Sequence, residues 1–404
     1  MEDLAFVIFI VFIGFRPVLD LFSNVKVLGI NLASLFSIIV IFIAFIWMMD
    51  ICIRKGFNFL FKNLYLKYLF IFILFLLPSI VASNYISDTI EYLLKLIMLA
   101  STSFLFLKFA KNKKNRKTIF YSICFSYLIT SLFGFFQLIT QSGLWDRDVN
   151  QYRLYSTFTH PNQYGFYLVV ILSLFLLFRK EGFFQHKFNF FTLLISDLVL
   201  LLFTYSRSAW IWAAFVMLGF FLEGSLQEKV VFVMLGFIVL IKMIPTIIER
   251  FSDISIVNNF EGSSMESRIN IWNRMLSLTS SFNLFGKGLG TFVSYDMAYY
   301  SSVLPAHNEY VNVLFESGYL GLLGFVIYLI SLIFYSIKFS GKNKKIYLMC
   351  VVGFAVIAFV SNIFSMLVSQ IYFVMYLSYP LLFYYENKKN PIRIKLANKR
   401  MCQY

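Results

Sequence analysis

The chain reads as long apolar runs separated by short polar clusters. An α-helix rises about 1.5 Å per residue and must cross about 30 Å of hydrocarbon, so runs of roughly 17 to 25 residues are the unit to count. They recur about twelve times, near 4–22, 27–49, 65–82, 89–108, 119–140, 164–178, 188–205, 208–222, 230–247, 309–337, 346–368 and 369–385. The first is interrupted by Arg16 and Pro17, the sixth is short, and a turn near Ser369 divides the last two. The pattern predicts an all-α polytopic membrane protein of about 12 transmembrane helices. Three portions follow: N-terminal membrane helices over 1–140, a central portion over 141–340, and C-terminal helices with a basic tail over 341–404.

Composition agrees. With 60% hydrophobic residues, 14% charged residues and 51 Phe among 404, the chain is too apolar for a soluble domain. A formal net charge of +15 raises nucleic acid as a partner. The basic residues, however, sit in short clusters between runs: Arg54 and Lys55 with Lys62, Lys108 to Lys117, Arg179 and Lys180 with Lys187, Lys338 to Lys345, and Lys388 to Arg400. These fall on alternate connections, so the positive-inside rule makes that side cytoplasmic, places both termini there, and removes the case for nucleic acid. The N-terminus has no basic region and no cleavage site, so the first segment is expected to stay. Cys52, Cys124, Cys350 and Cys402 lie in runs or on the cytoplasmic side, which predicts neither disulfides nor a metal-thiolate site.

With that topology, two connections large enough for chemistry face outward, about 141–163 and about 248–308. The second is the longest polar stretch, and so long a loop is usually functional. Within it "SSMESRINIWNRMLSL" predicts a surface helix, with Ser263 and Glu266 as a capping box and Ile269, Trp272 and Leu276 on one face. Read alone, Arg268 and Arg274 are its solvated face. "GKGLG" at 286–290 lacks the strand and spacing of a phosphate loop and is read as a turn.

Four pieces recur in order: "RLYSTFTHPNQYGFYL" from Arg153, "YSRSAW" from Tyr205, "ESRINIW" leading to "GKGLG", and "HNEYVNVLFESGYLGLLGF" from His307. Together they resemble the O-antigen ligase and polymerase family of bacterial membrane glycosyltransferases, over roughly 150–330. The resemblance implies a C-type glycosyltransferase-like bundle with a large outer loop, acting on undecaprenyl-diphosphate-linked glycan outside the cytoplasmic membrane. It implies functional roles for Arg207, Arg268 and His307. Ser156 departs from the motif, standing where a glycine is common, which bears on the turn there.

The chemistry of these residues fits. Arginine stays charged and binds phosphate oxygens bidentately, so Arg207 and Arg268 suit a lipid diphosphate, although Arg207 read alone could be snorkelling. His307 is placed to take a proton from an acceptor hydroxyl, the simpler alternative being that His307 and Asn308 cap the following helix. Glu309, Asn312 and Glu316 share a helical stripe, and Glu316 at its depth needs a partner, for which Arg207 would serve. Gly318, Gly321 and Gly324 are expected to admit a neighbouring helix. Arg153, His160 and Asn162 are expected to hold acceptor sugar or phosphate, with Pro161 opening a helix. Asp146 and Asp148 form an incomplete metal site. His186 carries no expectation.

The expected activity is transfer of lipid-linked glycan to a sugar hydroxyl without cofactor or metal. A bias toward Phe, Ile, Lys and Asn, as in low-GC genomes, favours polymerisation of a surface polysaccharide such as O-antigen or capsule over ligation to a lipid A core. Partners are then the lipid-linked donor and acceptor, the bilayer, a chain-length regulator and a flippase. A flippase is the competing reading, with Glu91, Lys95 and Asp197 along a path, but the chain shows no repeated halves.

Overall fold

The apolar runs fold as helices because, inside hydrocarbon, backbone amides and carbonyls must pair within their own segment. The computed structural model describes residues 2–22, 25–27, 30–55, 64–146, 151–226, 229–230, 244, 264–279, 283–339 and 341–389. The expected run over 230–247, Asp148, Ser263, Lys62 and the tail beyond 389 therefore lie wholly or almost wholly outside it. In chain order the elements are α1 (Glu2–Leu19), β1 (Lys26–Val27), β2 (Ile30–Asn31), α2 (Leu32–Lys55), α3 (Leu64–Leu76), α4 (Pro78–Val81), α5 (Ile86–Phe109) and α6 (Lys113–Thr140). There follow β3 (Leu144–Asp146), β4 (Gln151–Arg153), α7 (Pro161–Lys180), α8 (Lys187–Phe203), α9 (Arg207–Glu223), α10 (Ser264–Ser277), α11 (Phe292–Tyr300), α12 (Glu309–Phe339), α13 (Lys344–Ile357) and α14 (Leu367–Lys389). Each strand pair is a small antiparallel hairpin outside the helical body.

The all-α membrane class holds, but twelve crossings are not established. Among the described residues six helices, Glu2–Phe22, Leu32–Arg54, Ile86–Phe109, Lys113–Thr140, Pro161–Lys180 and Glu309–Phe339, are long and apolar enough to cross a membrane. Tyr65–Val81, Phe188–Phe203 and Leu367–Leu382 are shorter apolar helices. The segment read as one run over 346–368 ends its helix at Ile357 and turns through 358–366. Its freed backbone is paired elsewhere: the Glu309 amide donates to the Ala358 carbonyl at 2.7 Å, and the Phe364 amide donates to Glu309 Oε2 at 3.2 Å. Non-helical backbone is tolerated at such depth only when protein groups satisfy it.

Helix α7 is the centre of the bundle, with 89% of its apolar window buried against 17% for α2 at the rim. It packs on α8, α9 and α14, while α9 lies along α13 and α12 along α3. A Cβ on Gly165 would stand 2.8 Å from the Ala209 Cβ, so α7 and α9 nearly touch near their N-terminal ends. At the opposite ends Lys180 pairs with Glu223, and Arg116 with Glu181 at 3.3 Å. The basic clusters and the sequence motifs thus occupy opposite ends of α7 and α9.

The helix α12 is broken at Gly318, whose φ of 66° and ψ of −166° are open only to glycine at little cost. Residues 283–288 fill the break. Lys287 and Gly288 amides donate to the Phe315 and Glu316 carbonyls at 3.0 and 2.9 Å, and Tyr319 and Leu320 amides donate to Asn283 and Leu284 carbonyls at 2.8 and 3.2 Å. A Cβ on Gly286 would lie 2.3 Å from Glu316 backbone, which is why this turn needs glycine there. Beyond the break, Gly324 faces the Phe75 side chain of α3, the close helix approach expected of it.

Candidate active site

Three backbone corners build the motif end of the bundle. The first precedes α7. His160 caps that helix, its Nδ1 accepting from the Asn162 amide at 3.1 Å, with Pro161 as the first helical residue. Ser156, at the position noted for its missing glycine, takes a left-handed φ of 53°. Gln137 holds it there: its Oε1 accepts from the Tyr155 and Ser156 amides at 3.1 and 2.8 Å, its Nε2 donates to the Ser156 carbonyl at 3.3 Å, and Ser156 Oγ donates to the Thr130 carbonyl at 2.5 Å. A side chain forced into this region needs such over-determination.

The second corner joins α8 to α9 and presents Arg207 as the first residue of α9. Tyr205 there has a φ of 49°. Arg153 straps the corner: its Nε donates to the Thr204 carbonyl at 2.9 Å, Nη1 pairs with Asp146 Oδ2 at 3.1 Å and Nη2 donates to Asn162 Oδ1 at 2.9 Å. Arg153, Asn162 and Asp146 therefore join the hairpin, α7 and the Arg207 corner to one another. Among the described residues no three His, Cys, Asp or Glu side chains converge as metal ligands.

The third corner enters α12. His307 has a φ of 50°, and Asn308 is the helix cap, its Oδ1 accepting from the Val311 amide at 3.1 Å. Helix α10 lies over this entrance. Ile271 and Met275 are its buried residues, packed with Phe292, Tyr295 and Phe315, while Ile269, expected inside, is exposed. Trp272 Nε1 donates to the Ala306 carbonyl at 2.6 Å, one residue before His307. Arg274 pairs with the buried Asp296 and lies over the Tyr300 ring, so it docks α10 instead of solvating it. Arg268 Nη1 donates to the Val360 carbonyl at 3.3 Å, at the turn held by Glu309.

These corners gather positive and imidazole groups. Burial and the neighbouring Arg207 charge both lower the Arg268 pKa from its ordinary value. His307 is pushed down to about 4 by burial, then by the Arg268 charge and by His160. His160 is itself lowered by burial and by Arg153, against an opposing pull from Asp146. Arg207 with Arg268, Arg268 with His307, and His307 with His160 are thus within electrostatic reach, pair by pair, although the four come from separate parts of the sequence.

Glu316 is elsewhere. It lies buried on the other side of the α12 entrance, where Oε1 accepts from the Phe292 amide at 3.2 Å, and it lines a cavity with Glu309, Asn312 and Lys95. The expected Arg207 partner is not among the residues that line that cavity. Sequence reasoning placed Glu309, Asn312 and Glu316 on one stripe, and all three do share the cavity. It passed over Asp88 and Asn362, which also line it; the polar pair Ser361 and Asn362 inside an apolar run was the available signal.

The described helices thus collect guanidinium and imidazole groups at one end of the bundle, and guanidinium groups suit the binding of anions. Residues 188–326, which carry three of the four motif pieces, match the family model described as O-antigen ligase, a similarity of this segment that supports the O-antigen ligase/polymerase resemblance. The piece from Arg153 lies outside the matched segment. Comparison with individual curated proteins gives no match.

Proposed function

We propose that the protein transfers undecaprenyl-diphosphate-linked glycan to an acceptor sugar hydroxyl on the outer face of the bacterial cytoplasmic membrane, polymerising the repeat units of a surface polysaccharide. The observation that carries this reading is the pair Arg207 and Arg268, two guanidinium groups close enough to disfavour each other's charge, with His307 beside them. Two neighbouring guanidinium groups can bind the oxygens of a diphosphate bidentately, which suits them to such an anion.

The acceptor hydroxyl attacks the anomeric carbon of the donor, the bond from that carbon to the diphosphate oxygen breaks, and the undecaprenyl diphosphate leaves with the extra charge. Arg207 and Arg268 stabilise that charge, and His307 takes the hydroxyl proton. With its pKa near 4, His307 is neutral at pH 7 and ready to accept, though a weak base. Binding the diphosphate offsets the Arg268 charge that depresses it, so the substrate itself makes the base stronger. The donor is already activated, so no cofactor or metal is required. Arg153 and Asn162 act by positioning the Arg207 corner, and Asn308 by capping the helix that presents His307.

The test is reconstitution in liposomes with undecaprenyl-diphosphate-linked repeat units as sole substrate, products being sized on a gel. A ladder from the wild type that is lost in His307→Ala supports polymerisation. A wild-type protein that forms no ladder, but joins glycan to added lipid A core, is a ligase.

A further inference from the structure

The cavity beyond the α12 entrance has a volume of about 290 Å3 and opens between α5, the start of α11 and the 362–365 turn. Its polar lining carries Glu91, Lys95, Glu309, Asn312, Glu316 and Asn362, and Asp88 adds a further carboxylate. Glu91 pairs with Lys95 at 2.8 Å, and Glu309 and Glu316 are buried, so the lining is polar and lacks the clustered cations of the arginine corner. The carboxylates are spread along the walls instead of converging, which disfavours a single metal ion and favours an extended ligand with many hydroxyl donors. Glu309 interacts with the Phe364 and Ile363 amides and the Asn312 side chain, and Glu316 with the Gly290 and Phe292 amides, and a carboxylate has about four acceptor positions, which leaves each some acceptor capacity toward the cavity.

An independent observation points to a ligand. Asn362 is 7% exposed, and its Oδ1 is buried without a hydrogen-bond partner. Such an orphan acceptor costs free energy unless something occupies it. Tyr92 and Phe292 supply aromatic surface to the same walls, and the volume lies near the lower end for small-ligand pockets. Pro305 and Glu309, two residues either side of His307, both line the cavity, so its edge lies at the His307 turn.

We propose that this cavity binds a sugar unit of the acceptor glycan through its hydroxyl or amino groups and presents it toward the His307 turn. This rests on the transferase reading given above. The diphosphate would be held on one side of the α12 entrance and the acceptor saccharide on the other.

The experiment measures binding to the full-length protein in lipid nanodiscs with two probes. One is the repeat-unit oligosaccharide cut from the organism's own surface polysaccharide, free of lipid and phosphate; the other is undecaprenyl diphosphate. Asn362→Ala removes an atom that no protein group uses, and Glu91→Gln changes a side chain that is 70% exposed, so the second variant remains informative if the first folds poorly. The expected result is oligosaccharide binding by the wild type, weakened about 10-fold by either folded variant, with undecaprenyl diphosphate binding unchanged. Arg268→Ala is expected to give the reverse. No oligosaccharide binding by the wild type, or wild-type binding in Glu91→Gln and in folded Asn362→Ala, overturns the assignment. Because binding is read without turnover, a wild type that forms no glycosidic bond refutes the transferase reading separately.

Discussion

His307 combines a structural place at a helix entrance with the proton-accepting role proposed above, two functions that its sequence position cannot separate. It stands just before the Asn308 cap in a left-handed conformation, and strain of that kind in a non-glycine residue persists where surroundings enforce it. Two predictions follow from its charge environment. His307→Ala should lower turnover by about 100- to 10,000-fold with the melting temperature little changed, as thermal unfolding in detergent will show. In the free enzyme His307 is deprotonated above about pH 4, so kcat/KM should be flat on the acid side from pH 5 to 7. In the substrate complex the diphosphate offsets Arg268 and raises the His307 pKa, so kcat should fall with acid at a higher pH than kcat/KM does. Coincident acid limbs would exclude the coupling. At Arg268, a half-buried charge beside Arg207 that also donates to the Val360 carbonyl, Arg268→Gln is expected to change the melting temperature little while losing the further rise that inorganic diphosphate gives the wild type.

At the scale of elements, the decisive feature is the interrupted helix α12. Its upper part is pinned by the 283–288 segment, and its entrance by the turn at 358–366, so the His307 corner is fixed from both sides. Gly318→Ala puts a Cβ 2.4 Å from Asn283 and Leu284 backbone at a positive φ, and should destabilise by about 2 kcal/mol or more, read as a lowered melting temperature with loss of activity. Much of this level was legible. Helix periodicity gave α10, the glycine run gave a turn, and the Glu309, Asn312, Glu316 stripe shares a wall. The break at Gly318 was not legible, because an apolar run containing three glycines reads equally as one long span with a close neighbour. The burial of Ile271 and Met275 in place of Ile269 was also hidden, since α10 docks through Trp272 and Arg274 to groups far along the chain. Arg153 and Asn162, expected to hold acceptor sugar or phosphate, also hold the Arg207 corner, a pairing that depends on how the hairpin folds back onto α7 and was not legible in the sequence.

Across the whole molecule, the motif corners and the basic clusters lie at opposite ends of α7 and α9, which is the arrangement the positive-inside rule leads one to expect. Tyr299→Cys, at an exposed position on α11, should then be labelled on intact cells by a membrane-impermeant maleimide, and Gly341→Cys should be labelled only after permeabilisation. The reverse pattern would put the arginine cluster on the cytoplasmic side. The number of crossings was the least legible property, since apolar length does not distinguish a span from a helix that stops at Ile357 and turns. The most direct test of the central claim is the stoichiometry of the reconstituted reaction, counting undecaprenyl diphosphate released against glycosidic bonds formed. One diphosphate per bond in the wild type, with both products absent in Arg268→Ala and His307→Ala, is the predicted result. Bond formation that continues in either variant, or that releases no undecaprenyl diphosphate, would contradict the account.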